Sequence, residues 1–227
     1  MSIPRQLDTV AVIGNGIIGH GVAQVFAMAG KRVRLIGRSE ASLGQAMERI
    51  RASLKQFQAH GLISEEELEA AEGRVLTSGR LEDAAGAELV IEAVTEDLAL
   101  KRGLFGRLDK ICAPAVVLAS SSGQPASALI AEVAHPERVI ATHFWYPPQL
   151  IPLVEVCASQ QTLVDVTLWV CEVLREAGKE PAVIAVSVAT QLLQTFNKRA
   201  PARTVTAASE CATVSCRGCG HHPGSTP

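Results

Sequence analysis

The sequence predicts an α/β fold: a doubly wound, mostly parallel sheet with helices on both faces, followed by a short irregular C-terminal tail. Three observations carry this. Short β-branched runs alternate with longer helix-like segments over residues 9–186. Several of those runs are apolar throughout, the pattern of strands buried on both faces. The first run ends in the glycine-rich GNGIIG at 14–19, which joins a strand to a helix.

The elements follow in order. TVAVIG (9–14) reads as a buried strand closed by glycine, and 17–29 as a helix of small apolar residues. RVRLI (32–36) is the second strand, and 40–60 a helix with Ser39 as its N-cap. SEEELEAAE (64–72) sets Ser64 and Glu67 at capping-box spacing and predicts another helix. VLTS (75–78) and ELVIEAV (88–94) are strands, 98–111 a helix, AVVLAS (115–120) and RVIATHF (138–144) strands. LVEVC (153–157) is a shorter β-like run, Thr162 to Ala177 a helix, and PAVIAV (181–186) the last strand. VATQLLQTFNKR (188–199) has the makings of a short helix; from Ala200 onward there is no apolar period. Residues 1–187 therefore read as one domain and 188–227 as a divergent, disordered tail.

Bulk composition agrees. A chain of 227 residues, 48% hydrophobic with mean hydropathy +0.21, can bury a large core. A net charge of −2 gives no electrostatic reason to expect nucleic acid or an anionic membrane as partner. No apolar run reaches membrane-spanning length and MSIPRQLD lacks an h-region, so the expected location is cytoplasmic. Cys112, Cys157 and Cys171 lie in apolar surroundings and read as buried thiols. Cys211, Cys216, Cys219 and His221 or His222 offer four ligands in the tail, but no second knuckle faces them, so no metal site is expected.

The glycine turn has the context that a dinucleotide-binding turn requires, with a strand before it and a helix after. Gly14 allows the tight turn, Gly16 lets backbone approach a pyrophosphate, and Gly19 lets helix and strand pack closely. Asn15, Ile17 and Ile18 complete the candidate cofactor contacts at a helix N-terminus that favours phosphate. An acid usually ends the second strand and binds the adenosine ribose. Here Gly37 stands there, followed by Arg38 and Ser39. Without the carboxylate a 2′-phosphate is not repelled, and Arg38 offers it a partner, so NAD is expected with NADP open.

From Val10 to Val186 the chain resembles the NAD-binding domain of the L-3-hydroxyacyl-CoA dehydrogenases. The stretches that carry the resemblance are VIGNGIIGHGVAQVFAMAG, VIEAVTEDLALKRGLFGRLDK (90–110), VVLASSSG, and HPERVIATHFWYPPQLIPLVEV (135–156). The resemblance implies a Rossmann-type domain in an oxidoreductase of fatty-acid metabolism. It would oxidise a 3-hydroxyacyl-CoA, or a related small hydroxy acid, to the 3-keto product. It implies His143 as general base, held by Glu155, and a serine on the substrate hydroxyl. SSSG is ambiguous by one position against the family pattern; the family's serine-to-histidine spacing, carried onto His143, implies Ser122 rather than Ser120 or Ser121. Glu96 and Lys101 match positions at the nicotinamide nucleotide, and Ser53 a position that contacts CoA. Glu155 lies in an apolar run where an unpaired carboxylate is costly, so a partner such as His143 is required on physical grounds too.

There are departures. Tyr146 stands where the family has an asparagine, which puts the nicotinamide end of the site in question. After residue 187 the chain does not continue as the family's PGF…NR segment and helical domain. The expectation is a dehydrogenase reduced to its cofactor-binding domain. The alternative is a cofactor-binding protein with little turnover. No oligomeric state follows from the sequence.

Overall fold

The computed structural model describes residues 3–4 and 6–184. The end of the last expected strand, the short helix at 188–199, the tail and its Cys/His cluster lie outside the described residues. The strands are β1 (Thr9–Ile13), β2 (Arg32–Ile36), β3 (Val75–Ser78), β4 (Leu89–Glu92), β5 (Val117–Ser120), β6 (Val139–Phe144), β7 (Leu153–Ala158) and β8 (Glu180–Val183). The helices are α1 (Ile17–Met28), α2 (Glu40–Ala59), α3 (Glu65–Gly73), α4 (Leu98–Ile111), α5 (Ala126–Leu129) and α6 (Val164–Glu176). They build one sheet in the order β3-β2-β1-β4-β5-β6-β7-β8. β1 to β6 pair in parallel, β7 pairs antiparallel to β6, and β8 parallel to β7.

The uniformly apolar runs have a direct cause: both faces of the sheet are covered. Val10 and Val12 of β1 point to one side, where they meet Val22 and Phe26 of α1 and Ile50 and Leu54 of α2. Ala11 and Ile13 point to the other, into a cluster with Phe105 and Leu108 of α4 and Leu129 of α5. The helix ends read from the sequence are present. Ser39 accepts from the Ser42 amide, and Ser64 and Glu67 form a reciprocal capping box. Cys112, Cys157 and Cys171 are buried, and burial pushes the Cys112 thiol up to about 11.

Two features depart from the reading of an α/β alternation. β7 reverses direction, because the connection 145–152 is too short for a crossover, which takes about a dozen residues. Short helical turns, Leu81–Gly86, Ala126–Leu129, Ile130–Glu132 and Pro136–Arg138, occupy connections where no helical period shows. Beneath the last of these, the fully buried Arg138 donates to Asp109 at 2.7 Å and to the carbonyls of Cys112, Ala113 and Val116. Among the described residues no helix is long and apolar enough to cross a membrane.

Candidate active site

The strand order reverses between β1 and β4, which opens a crevice at the C-terminal ends of the parallel strands. The glycine turn borders it, and its three glycines are small for three different reasons. Gly14 has φ +104, and a β-carbon there would stand 2.5 Å from the Ala93 carbonyl oxygen. A β-carbon at Gly19 would stand 1.9 Å from the Gly14 carbonyl oxygen, so α1 meets its own turn only through glycine. At Gly16 a β-carbon would meet nothing within 4 Å, and φ is −72. Neither backbone strain nor protein packing accounts for glycine at 16. Open space before the N-terminus of α1 is what a bound pyrophosphate requires. Ile17, 60% exposed, and the half-buried Ile18 begin α1 beside that space.

At the end of β2, the Gly37 amide donates to the Ser78 carbonyl at 3.0 Å, and Arg38 is exposed. On the other side of the crevice, the ends of β4 and β5 hold a buried polar network. Glu92 is fully buried and accepts from Lys101 Nζ at 2.6 Å, Ser120 Oγ at 2.6 Å and the Val94 amide at 2.7 Å. Lys101 Nζ also lies 3.6 Å from Glu96, whose other oxygen accepts from Ser122 Oγ at 2.6 Å. Ser122 Oγ in turn accepts from the Gln124 amide at 3.0 Å. Lys101 is thus not presented at the mouth of the cleft. Its ammonium neutralises Glu92 and braces Glu96, and Glu96 holds Ser122. The separation of Glu96 and Lys101 along the chain is a poor one for helix-surface pairing, yet they meet because Glu96 precedes α4.

The last component comes from the antiparallel step. His143 and Glu155 are register partners across β6 and β7, so their side chains share one face. His143 Nδ1 lies 2.8 Å from Glu155 Oε2, with side-chain exposures of 19% and 3%. A carboxylate only accepts, so Nδ1 carries the proton and Nε2 is the nitrogen suited to take one up. The Trp145 ring lies 5.6 Å from the imidazole, and Tyr146 is 66% exposed. The connection between the two strands is tied down by Lys179, whose buried Nζ donates to the carbonyls of Pro148 at 2.6 Å and Ile151 at 3.2 Å. Burial holds this lysine below its ordinary pKa.

Register relates the two halves. Ser120 pairs with Ala141, so Ser122 and His143 lie equally far beyond that pair at neighbouring strand ends. Ser53 does not join them. It sits half-buried on α2, about 20 Å along the helix from its Ser39 cap at 1.5 Å per residue. Glu92 and Lys179 are site-building residues that the sequence reading passes over, and Ser120, set aside there in favour of Ser122, holds Glu92. Glu92 carries the same signal as Glu155, one carboxylate in an otherwise apolar strand.

The family described as "3-hydroxyacyl-CoA dehydrogenase, NAD binding domain" matches residues 9–187. The 3-hydroxyadipyl-CoA dehydrogenase of Escherichia coli (strain K12) is 35% identical over 176 residues, 77% of this chain and 37% of that protein. The probable 3-hydroxybutyryl-CoA dehydrogenase of Bacillus subtilis (strain 168) is 33% identical over 175 residues, 77% of this chain and 61% of that protein. The crystal structure of 3-hydroxybutyryl-CoA dehydrogenase from Escherichia coli K12 superposes with TM-score 0.77 at 35% identity, covering 78% of this chain and 38% of that one. The chain therefore spans about two fifths to three fifths of the length of these relatives. With the match spread over the glycine crevice, the buried network and the His143–Glu155 hairpin, this chain belongs to the NAD-binding-domain family of the 3-hydroxyacyl-CoA dehydrogenases.

Proposed function

We propose that this chain carries the cofactor-binding and proton-transfer half of an NAD(P)-dependent dehydrogenase. Its substrate is a 3-hydroxyacyl-CoA or a related small hydroxy acid, oxidised to the 3-keto product. The observation that carries the reading is the His143–Glu155 pair, held in register at the strand ends beside the glycine crevice. The bound cofactor supplies a nicotinamide ring that accepts the hydride. The proton leaving the hydroxyl goes to His143 Nε2. Glu155 keeps the imidazole in the tautomer that accepts it and stabilises the imidazolium that forms. Ser122, its hydroxyl aligned by Glu96, contacts the substrate oxygen, and Glu96, braced from behind by the buried Lys101, borders the nicotinamide ribose. Ser53, remote along α2, meets only the far end of a long CoA ester. Tyr146 takes the position at the nicotinamide end through its hydroxyl.

At the adenosine end, the exposed Arg38 after Gly37 supports NADP use beside NAD. Comparing Kd values for NADH and NADPH tests this; a strong NADH preference overturns it. The main reading is tested by NAD(P)H fluorescence titration together with acetoacetyl-CoA-dependent NAD(P)H oxidation. His143→Ala is expected to keep cofactor affinity and lower turnover by about 10²–10⁴-fold. Cofactor binding with no turnover in the wild type supports the second reading, a binding module. The 66% exposure of Tyr146 beside the hairpin favours that outcome to the extent that water enters there.

A further inference from the structure

How the adenosine end is read without an acid at the end of β2 has a structural answer, and it rests on the dinucleotide reading above. Gly37 is not among the glycines with positive φ, so its backbone is open to any residue. What stands in the way of a side chain is Asn15. A β-carbon at residue 37 would lie 2.9 Å from Asn15 Cγ, 3.0 Å from Asn15 Oδ1 and 2.9 Å from Leu43 Cδ2. The Asn15 carboxamide therefore occupies the space that a side chain at residue 37 would need.

The placement of that amide suits a ligand. Asn15 is half-buried, and its side chain makes no hydrogen bond to any described residue. Its amide therefore keeps two donors and an acceptor available to a ligand. Arg38 and Ser39 are exposed next to it in the chain. A cavity of about 330 Å³ opens alongside, lined by Leu43, Gly44, Met47, Thr77, Gly79 and the acid Glu40.

We infer that Asn15 is the residue that reads the adenosine ribose in this chain, in place of the missing acid. Its uncharged amide donates to and accepts from a ribose diol, and it does not repel a 2′-phosphate. The Asn15–Gly37 pair, with Arg38 beside it, thus sets a relaxed choice between NAD and NADP. The two positions are coupled: an acid at 37 reaches the ribose only if Asn15 gives up the space. The contacting atoms are ends of flexible side chains, so the exchange leaves the fold intact.

Fluorescence titration of NADH and NADPH on four proteins tests this: wild type, Asn15→Ala, Gly37→Asp and the double variant, each checked for wild-type circular dichroism. Asn15→Ala is expected to weaken both cofactors by about five- to tenfold. Gly37→Asp is expected to weaken NADPH by more than about 100-fold through charge repulsion, and NADH to a lesser degree because Asn15 obstructs the new carboxylate. The double variant is expected to recover wild-type NADH affinity while NADPH stays weak. Wild-type binding that Asn15→Ala leaves within twofold for both cofactors overturns the inference alone. So does a double variant that binds NADH no better than Asn15→Ala. A wild type that binds neither cofactor overturns the dinucleotide reading and this inference with it.

Discussion

Glu155 has two tasks that one substitution separates. Its oxygen positions the imidazole, and its charge stabilises the imidazolium. Glu155→Gln keeps an acceptor for Nδ1 but loses the charge, so kcat is expected to fall by about 100-fold while NADH affinity is unchanged; steady-state kinetics beside fluorescence titration check this. An equal loss of cofactor binding would mean that Glu155 is merely structural. The residue was legible in the sequence because a lone carboxylate in LVEVC demands a partner, and His143 was the histidine at a neighbouring strand end. Glu92 gives the same signal in ELVIEAV, but its partners come from α4 and from the end of β5. Which distant side chains meet a buried charge depends on strand order, and strand order does not show in local pattern.

Among elements, the turn into α1 separates ligand binding from packing. Gly16→Ala is expected to leave thermal stability nearly unchanged, since a β-carbon there meets no protein atom, yet to weaken NADH by at least tenfold. Gly19→Ala drives a β-carbon into the Gly14 carbonyl, so it is expected to lower Tm clearly. Differential scanning fluorimetry with and without NADH distinguishes the two. At the opposite end of α4, Asp109 supplies a pH dependence. Burial alone pushes its carboxyl up, but the Arg138 guanidinium and the Ala134 amide outweigh this and hold it below its ordinary value of 3.8. Because the folded pKa is depressed, the stabilisation is complete above about pH 4 and is lost as pH falls through the folded value. Asp109→Asn is expected to flatten that acid limb. It should also cost about 3–5 kcal/mol at neutral pH by leaving Arg138 buried without its counter-charge, measurable by urea unfolding. Element boundaries were readable where caps and periods are long, as at Ser39 and Ser64. The brief turns at 81–86 and 126–138 were not, being too short for an apolar period to repeat.

Over the whole molecule, the crevice and both hydrophobic clusters belong to one sheet, so a ligand seated at the strand ends stabilises the domain as a unit. NADH at about 100 times its Kd is expected to add about 2.7 kcal/mol. For a domain of this size that is a rise in Tm of roughly 5–10 °C, read by calorimetry. The doubly wound class was legible because strands covered on both faces show no alternation. The reversal at β1/β4 was not, since it is set by which edge each crossover returns to. The antiparallel turn at β7 sits between these cases, written only in the shortness of the connection 145–152.

That hairpin has a consequence for change by insertion or deletion. Because His143 and Glu155 face each other as rungs of one ladder, a one-residue slip along β7 would turn the carboxylate to the opposite side of the sheet, away from the imidazole. Lengthening the loop that joins the rungs moves neither. The acid–base couple therefore behaves as a single heritable cassette: indifferent to what is spliced between its ends, intolerant of a frame error within either strand.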